Sequence, residues 1–472
     1  RGFRLESFHM KQVYLDTYGC QMNVADTNRM ELLLFHSGYL RTGEVEDADL
    51  VLVNTCSIRE KAEQKIYSLA GSLKPLKEAN PDLILGVTGC LAQQEGEQML
   101  RRMPFLDLIL GPDGVENIVQ AVDEVRNTNH PVVWTHFDSA KNYHISELSS
   151  ETPLNPGPSA FVNIIKGCDK FCTFCVVPFT RGREKSREAE EIEQEVRLLV
   201  SRGAKEIILL GQNVNAYGKR GLDQPVPFHE LLCRVASIPG VERLRFTTSH
   251  PMDFTRECIE AYRDIDVLVN HLHLPVQSGS NRVLQEMRRG HTVEEYIALI
   301  DTLRAEVPDI SLSTDIIVGF PEETDSEFED TLALMERVGF SSSYMFCYSP
   351  RPGTPAQDFP DSVPLSVKSA RLQRTMQLQD RLTGERGRRF LNREVEVLVE
   401  GRTSKRGADF KGRNPQYWMV NFTGDREMIQ PGDWVTVVVE EVFGHAFKGR
   451  AVSRVREGTR VDFKTDVSAA IE

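Results

Sequence analysis

Residues 161–178 of this 472-residue chain, FVNIIKGCDKFCTFCVVP, decide how the fold is interpreted. An apolar strand pattern leads directly into three cysteines, Cys168, Cys172 and Cys175, with the spacing C-x3-C-x2-C. Three thiolates on one loop can bind three irons of a four-iron cluster and leave the fourth iron open to a ligand. Zinc sites usually show paired short spacings and a fourth ligand, and buried apolar cysteines rarely lie so close together. The spacing therefore predicts a [4Fe–4S] cluster on this stretch.

Five more apolar strand patterns follow it, KEIILLG, RLRFTTS, LHLPV, ISLSTDIIVG and SSYMFCY. Helical patterns separate these strands, and strands that alternate with helices predict parallel βα units. Six such strands predict a partial βα barrel over residues 159–385. The cysteine loop, as we call residues 168–175, then follows the first barrel strand.

The regions on either side of this barrel have different patterns. Residues 11–128 also alternate short strands with amphipathic helices and predict an α/β domain with a doubly wound parallel sheet. Residues 129–158 contain the cluster SSETPLNPGP, which is typical of a linker. Residues 386–456 show short strands between turn residues and predict a small antiparallel β-barrel. Residues 457–472 have no period and are predicted to be a tail.

Three cysteines of the N-terminal domain, Cys20, Cys56 and Cys90, each stand between a predicted strand and a predicted helix. The carboxyl ends of parallel strands meet at one edge of a sheet, where open α/β sheets bind ligands. One such cysteine alone would favour an ordinary buried residue, but three at equivalent positions favour convergence. These strand-end cysteines therefore predict a second [4Fe–4S] cluster with another open iron.

Nine cysteines are too few for a disulfide scaffold in a chain of this length. The opening segment lacks the basic stretch and apolar run of a signal peptide, and no apolar run approaches the length that crosses a bilayer. We therefore predict a protein of the reducing cytoplasm without a membrane segment. Cys233, Cys258 and Cys347 have no partner at ligand spacing, and we assign them to the core.

The formal net charge of −13 argues at first against a nucleic-acid partner. The charge is segregated, however, because residues 384–456 hold 14 Lys and Arg against 10 Asp and Glu, whereas residues 1–383 hold 40 against 55. Aromatic residues lie among these basic groups at Phe390, Phe410, Tyr417, Trp418 and Phe447. The mixture suits phosphate contact and base stacking, although a barrel this small needs some of the rings for its core. The C-terminal module is thus the predicted RNA contact.

The C-x3-C-x2-C loop after the first strand of a βα barrel resembles the signature of the radical S-adenosylmethionine superfamily. The order of a three-cysteine α/β domain, this barrel and a small β-barrel resembles the radical S-adenosylmethionine methylthiotransferase family, from about residue 12 to residue 455. The terminal barrel resembles the RNA-binding TRAM fold. The segments NTCSIREKAEQK, CVVPFTRGRE, LLGQNVNAYG, RFTTSHP and LPVQSGSNRVL are similar to the branch of this family that acts on prenylated adenosine in tRNA.

The resemblance implies a reaction with two molecules of S-adenosylmethionine and two [4Fe–4S] clusters. One molecule would methylate a sulfur on the auxiliary cluster of the strand-end cysteines. The second, cleaved at the cluster of the cysteine loop, would supply a 5′-deoxyadenosyl radical that removes hydrogen from carbon 2 of N(6)-dimethylallyladenosine at position 37, beside the anticodon. The implied partners are the tRNA anticodon stem-loop, an electron donor such as flavodoxin or ferredoxin, and a sulfur-delivery protein. We expect a monomer.

The residues that match the family's S-adenosylmethionine segments stand at the ends of the second to fifth barrel strands. They are Gly211, Gln212, Asn213, Ser249, His250, Gln277, Ser278, Asp315 and Gly319. Their polar groups can bind ribose hydroxyls, the carboxylate or the substrate base, and a glycine lets the backbone approach a ligand. Each is equally explained as a turn or cap residue.

Two further features of the cysteine loop region have open interpretations. Phe171 and Phe174 either shield the cluster from water or serve as ordinary packing residues. The basic run that follows the loop either meets phosphate or a carboxylate, or forms a solvated helix entry; its members are Arg181, Arg183, Lys185 and Arg187.

Two alternative functions stay open from the sequence. The same chemistry could act on threonylcarbamoyl-adenosine in tRNA or on an aspartate of a ribosomal protein. An iron–sulfur carrier or electron-transfer protein with an RNA-binding tail belongs to a different class. Such a carrier has no need of a six-stranded barrel with polar residues at successive strand ends, which disfavours it.

Overall fold

The computed structural model describes residues 10–57, 60–137, 143, 145 and 156–456 of the chain. The predicted tail, much of the predicted linker and residues 58–59 of the NTCSIREKAEQK segment lie outside these described residues. Three regions follow one another along the chain: a parallel α/β domain, a set of βα units and a small β-barrel.

The first domain is a six-stranded parallel sheet with the strand order β2-β1-β3-β4-β5-β6. Its elements are β1 (Lys11–Thr17), α1 (Gln21–His36), β2 (Tyr39–Arg41), β3 (Leu50–Thr55), α2 (Glu60–Ala79), β4 (Ile84–Gly89), α3 (Cys90–Glu95), α4 (Glu97–Arg102), β5 (Leu108–Leu110), α5 (Ile118–Thr128) and β6 (Val132–Trp134).

Helices cover both faces of this sheet. Leu50 and Leu52 of β3 pack with residues of α1 and α5, whereas Val51 and Val53 pack with residues of α2, α3 and α4. A strand that is buried on both faces has a run of apolar residues, as positions 50–53 of β3 do. The predicted doubly wound parallel sheet is confirmed.

Two strands of this sheet were not predicted from the sequence. Tyr39–Arg41 and Val132–Trp134 are edge strands of three residues each, too short to show a period. Val132–Trp134 pairs with β5 and lies inside the predicted linker, residues 129–158, so the first sheet extends to residue 134. The other domain bounds stay predictions.

The central region supplies the βα units. Its elements are β7 (Ser159–Asn163), β8 (Ile165–Lys166), α6 (Val177–Thr180), β9 (Lys185–Ser186), α7 (Ala189–Ser201), β10 (Glu206–Leu210), α8 (Phe228–Ala236), β11 (Arg243–Phe246), α9 (Arg256–Asp264), β12 (His271–His273), α10 (Asn281–Glu286), α11 (Val293–Glu306), β13 (Ser311–Val318), α12 (Asp325–Val338), β14 (Ser342–Cys347) and α13 (Leu365–Arg388).

Its six long parallel strands form two three-stranded sheets, one of β7, β10 and β11 and one of β12, β13 and β14. A parallel bridge between Leu244 and Leu268 joins the sheets, with the Val269 N–H donating to the Leu244 carbonyl at 3.0 Å. The strands thus follow chain order and leave β7 and β14 as open edges. This arrangement confirms the predicted partial βα barrel.

The two faces of a barrel strand have different partners. Ile207 and Leu209 of β10 pack into the core that the outer helices cover. Ile208 and Leu210 face the opposite way and pack against Met22 of α1. The N-terminal domain therefore covers part of the barrel's inner face through the first turn of α1.

The C-terminal module is a closed five-stranded barrel with the order β15-β16-β17-β19-β18. Its strands are β15 (Glu394–Arg402), β16 (Phe410–Arg413), β17 (Met419–Thr423), β18 (Trp434–Phe443) and β19 (Ala446–Arg456). The pairing of β17 with β19 is parallel and the other pairings are antiparallel. The predicted small barrel is confirmed, with one parallel contact that the pattern of short strands did not show.

The aromatic residues of this barrel correct the base-stacking interpretation. Phe390, Phe410, Trp418 and Phe447 are buried and pack together in the barrel core, so they cannot stack on RNA bases. Tyr417 faces the central barrel instead, where Arg245 lies 4.1 Å from its ring centre. A small barrel needs large side chains to fill its interior, and this need takes all four buried rings.

The structure places two of the three remaining cysteines in helices and one in a strand. Cys258 is buried in α9 and belongs to the central core, and Cys347 ends β14 and packs partly buried against the same core. Cys233 is exposed on α8, so its assignment to the core is wrong. Within the described residues, no helix is both long and apolar enough to span a membrane.

Candidate cluster and S-adenosylmethionine site

The cysteine loop leaves the barrel after β8 and returns at α6, and backbone hydrogen bonds hold it from several sides. The Gly167 N–H donates to Gln212 Oε1 at 2.5 Å, the Asp169 N–H to Glu184 Oε1 at 3.1 Å, and the Thr173 N–H to the Met287 carbonyl at 3.1 Å. The loop is thus fixed by the residue that precedes β9 and by segments that follow β10 and α10. Fixed ligands are what a cluster site requires.

Two thiols of this loop, those of Cys168 and Cys175, have raised pKa values in the protein alone. Burial raises the pKa of the Cys175 thiol to about 12, and the neighbouring Cys172 adds to the rise. Burial also raises the pKa of the Cys168 thiol far above its usual range. A metal ligand must be a thiolate, so the positive charge of bound iron is the group that would hold these sulfurs deprotonated.

Arg289 is a neighbour of the loop that the sequence analysis missed. Its side chain is buried and donates to Cys172 Sγ at 3.4 Å and to the Pro275 carbonyl at 2.6 Å. A hydrogen bond to a cluster ligand influences the reduction potential of the cluster. Nothing in the local sequence distinguishes Arg289 from the adjacent Arg288. Only the fold brings Arg289 to Cys172, which lies 117 residues earlier in the chain.

The two phenylalanines of the loop have different surroundings. Phe174 packs with Met287 and Phe320 in a small apolar cluster beside the loop. Phe171 is partly exposed, and the guanidinium of Arg183 lies 5.1 Å from its ring centre. Packing is therefore the observed role of Phe174.

Gln212 and Asn213 follow β10 and lie beside the cysteine loop. Gln212 Nε2 and Asn213 Oδ1 are buried with no hydrogen-bond partner among the described residues. Asn213 donates its Nδ2 to Glu184 at 3.2 Å and to Asp253 at 2.7 Å. Buried polar atoms normally have partners, so these atoms fit a site that a polar ligand fills.

Ser249 and His250 follow β11 and, like Gln212 and Asn213, have buried polar atoms without a hydrogen-bond partner among the described residues. Ser249 Oγ and His250 Nε2 are buried with no partner in the described part of the chain. His250 Nδ1 accepts the Met252 N–H at 3.3 Å, and burial keeps the pKa of the imidazole far below its usual value. The ring is therefore neutral at pH 7.

Gln277 connects the loop after β12 to β13. Its N–H donates to the Asp315 carbonyl at 3.0 Å and its carbonyl accepts the Ile317 N–H at 2.9 Å, at a left-handed φ of 81°. Asp315 Oδ1 lies 3.5 Å from His273 Nε2. The backbone pairing thus places Gln277 beside Asp315.

Three other predicted cofactor residues have structural roles in the fold. Ser278 Oγ accepts the Ser280 N–H at 3.2 Å in the turn before α10. A Cβ atom at Gly211 would lie 2.4 Å from Ile165 Cγ2, and one at Gly319 would lie 2.4 Å from Lys368 Cγ. Close packing therefore requires both glycines, whatever ligand the site binds.

The strand-end cysteines converge as predicted. Cys20 precedes α1 after β1, Cys56 follows β3 and Cys90 begins α3 after β4, and these three strands are neighbours in the sheet. A Cβ atom at Gly19 would lie 2.6 Å from Cys56 Cβ, so the first two cysteine segments touch. Burial raises the pKa of the Cys90 thiol, and the charge of the nearby Cys20 sulfur adds to the rise.

The geometry differs from that of a single-ion site. Within the part of the chain that the structure describes, no three His, Cys, Asp or Glu side chains are arranged as ligands of one metal ion. Cysteines that bind a four-iron cluster each hold a different iron and therefore lie further apart. Neither cysteine set, as far as the structure describes it, has the ligand arrangement of a single-ion zinc site.

The basic run after the cysteine loop meets carboxylates of the same chain, as one of the two interpretations allowed, and its buried members do not form a solvated helix entry. Arg181 and Arg187 are buried, and Arg187 donates to Glu195 at 2.6 Å and to the Asn163 carbonyl at 2.7 Å. Arg183 is exposed and pairs with Asp169. Lys185 belongs to β9, which pairs with β8. These basic residues contact other parts of the same chain, and Arg181 reaches the strand-end cysteines.

Family comparisons agree with the three regions. Residues 162–335 match the Radical SAM superfamily, residues 12–111 match Uncharacterized protein family UPF0004, and residues 388–452 match the TRAM domain. Among solved structures, the radical S-adenosylmethionine methyltransferase TsrM from Kitasatospora setae aligns with a TM-score of 0.53 at 14% identity, over 74% of this chain and 77% of that chain. This likeness shows a shared fold.

Together the fold and the site define a radical S-adenosylmethionine enzyme, a class that uses [4Fe–4S] clusters and S-adenosylmethionine. The chain is 46% identical over 441 residues to the tRNA-2-methylthio-N(6)-dimethylallyladenosine synthases of Yersinia pseudotuberculosis serotype O:1b (strain IP 31758) and Yersinia pestis (strain Pestoides F), which is 93% of this chain and 92% of each relative. The chain belongs to the tRNA-2-methylthio-N(6)-dimethylallyladenosine synthase family.

Proposed function

We propose that this protein adds a methylthio group to carbon 2 of N(6)-dimethylallyladenosine at position 37 of tRNA. The observation that carries the proposal is the near full-length similarity to the synthases, in a chain where both cysteine sets occupy strand ends that face the same interdomain region. A single cysteine set would serve radical formation alone. The second set supplies the site at which sulfur would be held.

Cys168, Cys172 and Cys175 would hold one [4Fe–4S] cluster, and Cys20, Cys56 and Cys90 the other. When bound, the first cluster supplies the electron that cleaves S-adenosylmethionine into methionine and a 5′-deoxyadenosyl radical. The protein orients the cofactor with the buried polar atoms of Gln212, Asn213 and Ser249. The remaining members of this proposed cofactor site are Gly211, Gln277, Asp315 and Gly319.

The charge of the C-terminal barrel supports tRNA as substrate. Lys405 and Arg406 are exposed on the turn between β15 and β16, and Arg402 and Arg450 are exposed on its strands. Cationic groups on one module attract phosphate and make binding sensitive to salt. The four buried rings do not contribute to RNA contact, so phosphate contact by the exposed cations is the role that the observations support.

Further partners follow from the chemistry. An electron donor such as flavodoxin or ferredoxin would reduce the first cluster, because each cleavage consumes one electron. A sulfur-delivery protein would replace the sulfur that leaves with each product. We place this protein in the cytoplasm, where tRNA and these donors are present. We propose that it acts as a monomer.

The test is turnover on three synthetic anticodon stem-loops that carry N(6)-dimethylallyladenosine, unmodified adenosine or threonylcarbamoyl-adenosine. We expect the methylthio nucleoside, detected by mass spectrometry, from the first stem-loop alone. Turnover confined to either other stem-loop would reassign the acceptor. Absence of 5′-deoxyadenosine after reduction with dithionite would instead support the carrier interpretation.

A further inference from the structure

Arg181 connects the two cysteine sets. It follows α6, six residues after Cys175, yet its side chain crosses into the N-terminal domain and is 6% exposed. Its Nε donates to Cys90 Sγ at 3.2 Å, and its Nη2 donates to Asn23 Oδ1 and to Asp26 Oδ2, both at 2.8 Å. One guanidinium thus contacts a strand-end cysteine and two residues of α1.

The contacts of Arg181 are held from the other side. Asn23 donates its Nδ2 to the Tyr18 carbonyl at 2.9 Å, and its Oδ1 lies 3.9 Å from Cys20 Sγ. Asn23 therefore joins the guanidinium to the segment of a second strand-end cysteine. Since Arg presents several N–H donors in a rigid plane, it can satisfy all three acceptors at once, which Lys cannot.

Burial of this cation requires an explanation. Taking a guanidinium out of water is costly unless opposite charge and hydrogen bonds compensate. Asp26 supplies one negative charge, but the Nε–H points at a sulfur atom, and a neutral thiol is a weak acceptor. A cysteine sulfur that binds a cluster as a thiolate carries negative charge. It is therefore a far better hydrogen-bond acceptor for the Nε–H than a neutral thiol.

We propose that Arg181 is a positioning residue for the auxiliary cluster: it docks the strand-end cysteines against the cysteine loop and stabilises the reduced state of the cluster they hold. This inference rests on the proposed function, because it requires a cluster at these cysteines. Reduction adds an electron to the cluster, and a hydrogen bond and a positive charge beside a ligand sulfur favour that added charge.

A purely structural ion pair is the alternative explanation. Lys166 and Asp113 form a comparable pair between the same two domains, at 2.9 Å. Loss of docking alone would lower the stability or the iron content of the protein. It would not shift the potential of a cluster that is still bound, so the potential separates the two explanations.

The experiment uses the full chain with Cys168, Cys172 and Cys175 replaced by Ala, so that one cluster is left. After anaerobic reconstitution, a dithionite titration followed by electron paramagnetic resonance gives the midpoint potential. We expect Arg181→Gln to lower the potential, Arg181→Lys to lower it less, and Asp26→Asn to raise it because a compensating negative charge is lost. Arg183→Gln is the matched control and should leave the potential unchanged.

The outcomes distinguish this inference from the proposed function. Unchanged potentials in Arg181→Gln and Asp26→Asn with full iron content would overturn the role of Arg181 and leave the two-cluster function intact. If the parent triple variant binds no cluster, the two-cluster function and this inference both fail. Should Arg181→Gln not bind iron, Arg181→Lys and Asp26→Asn still decide, since opposite shifts support the proposal and equal potentials reject it.

Discussion

The two cysteine sets are built in opposite ways. The cysteine loop holds its three thiols within eight consecutive residues, whereas Cys20, Cys56 and Cys90 are separated by 36 and 34 residues. The loop needs a local turn and a few backbone hydrogen bonds. The strand-end cysteines need three adjacent strands in the correct order and the close contact of the loops between them. The arrangement of the first set depends on one short segment of the chain, and the arrangement of the second set depends on the order of strands in a sheet.

This difference indicates which changes in the chain should disturb each cluster site. A change in the barrel that leaves the loop intact should spare the first cluster. A change at any of three distant loops should disturb the second, because its geometry depends on all of them. The following predictions test this contrast, beginning with the largest expected effect.

Cys168→Ala should abolish both 5′-deoxyadenosine formation and the methylthio nucleoside. Removing one of three ligands on the loop should cost the first cluster, so iron should fall by about four per chain. Both products are measured by liquid chromatography with mass spectrometry and iron by a colorimetric assay. The control is Cys258→Ala, which removes a buried thiol outside both sites. Persistent 5′-deoxyadenosine would contradict the assignment of the loop.

Cys56→Ala should abolish the methylthio nucleoside but leave 5′-deoxyadenosine formation in place. Iron should again fall by about four per chain, because the strand-end set loses a ligand while the loop is untouched. The same assays report both quantities. An iron content equal to that of the unaltered protein would reject the second cluster.

Gly19→Ala should weaken the auxiliary site through a steric clash and backbone strain, without removing a ligand. A Cβ atom there would lie 2.6 Å from Cys56 Cβ at a φ of 131°, so we expect a loss of about 1–3 kcal/mol of stability and part of the iron. Thermal unfolding and iron content are the measurements. Gly38→Ala is the control, with a φ of 87° and nothing within 4 Å of its Cβ. Equal iron loss in both variants would show that backbone strain, not the Cys56 contact, is responsible.

Ser249→Ala should produce the smallest effect. Its Oγ is buried without a partner among the described residues, so its removal should not lower the melting temperature. If the hydroxyl binds S-adenosylmethionine, loss of about 1 kcal/mol of binding should raise the KM for the cofactor ~5-fold. A lower melting temperature with an unchanged KM would assign Ser249 to the turn after β11.

The contrast between the sites also explains what could be predicted. The C-x3-C-x2-C spacing is visible in any linear inspection, and convergence of the strand-end cysteines followed from the rule that parallel strands end at one edge. Arg181 and Arg289 were not predicted as cysteine contacts, because each lies about a hundred residues from the sulfur it reaches. Contacts at such separations depend on how domains and helices pack, which leaves no local pattern.

The aromatic and basic residues were misjudged for a related reason. Composition showed that rings and cations occur together in the C-terminal barrel, and that basic residues follow the cysteine loop. Composition does not show which direction a side chain faces. Phe410 and Phe447 fill the barrel, and Arg187 is buried against Glu195. Burial of a cation depends on a partner that only the folded chain brings near.

The sequence by itself determined the α/β class, the order of the three regions and the six cysteines proposed as cluster ligands, because periodicity and short-range spacing are local properties. Tertiary structure alone decided that β1, β3 and β4 are neighbours, that Met22 covers the inner face of the barrel and that Arg181 reaches Cys90. These are contacts between residues far apart in the chain. They exist only when packing brings two surfaces together and removes water from between them.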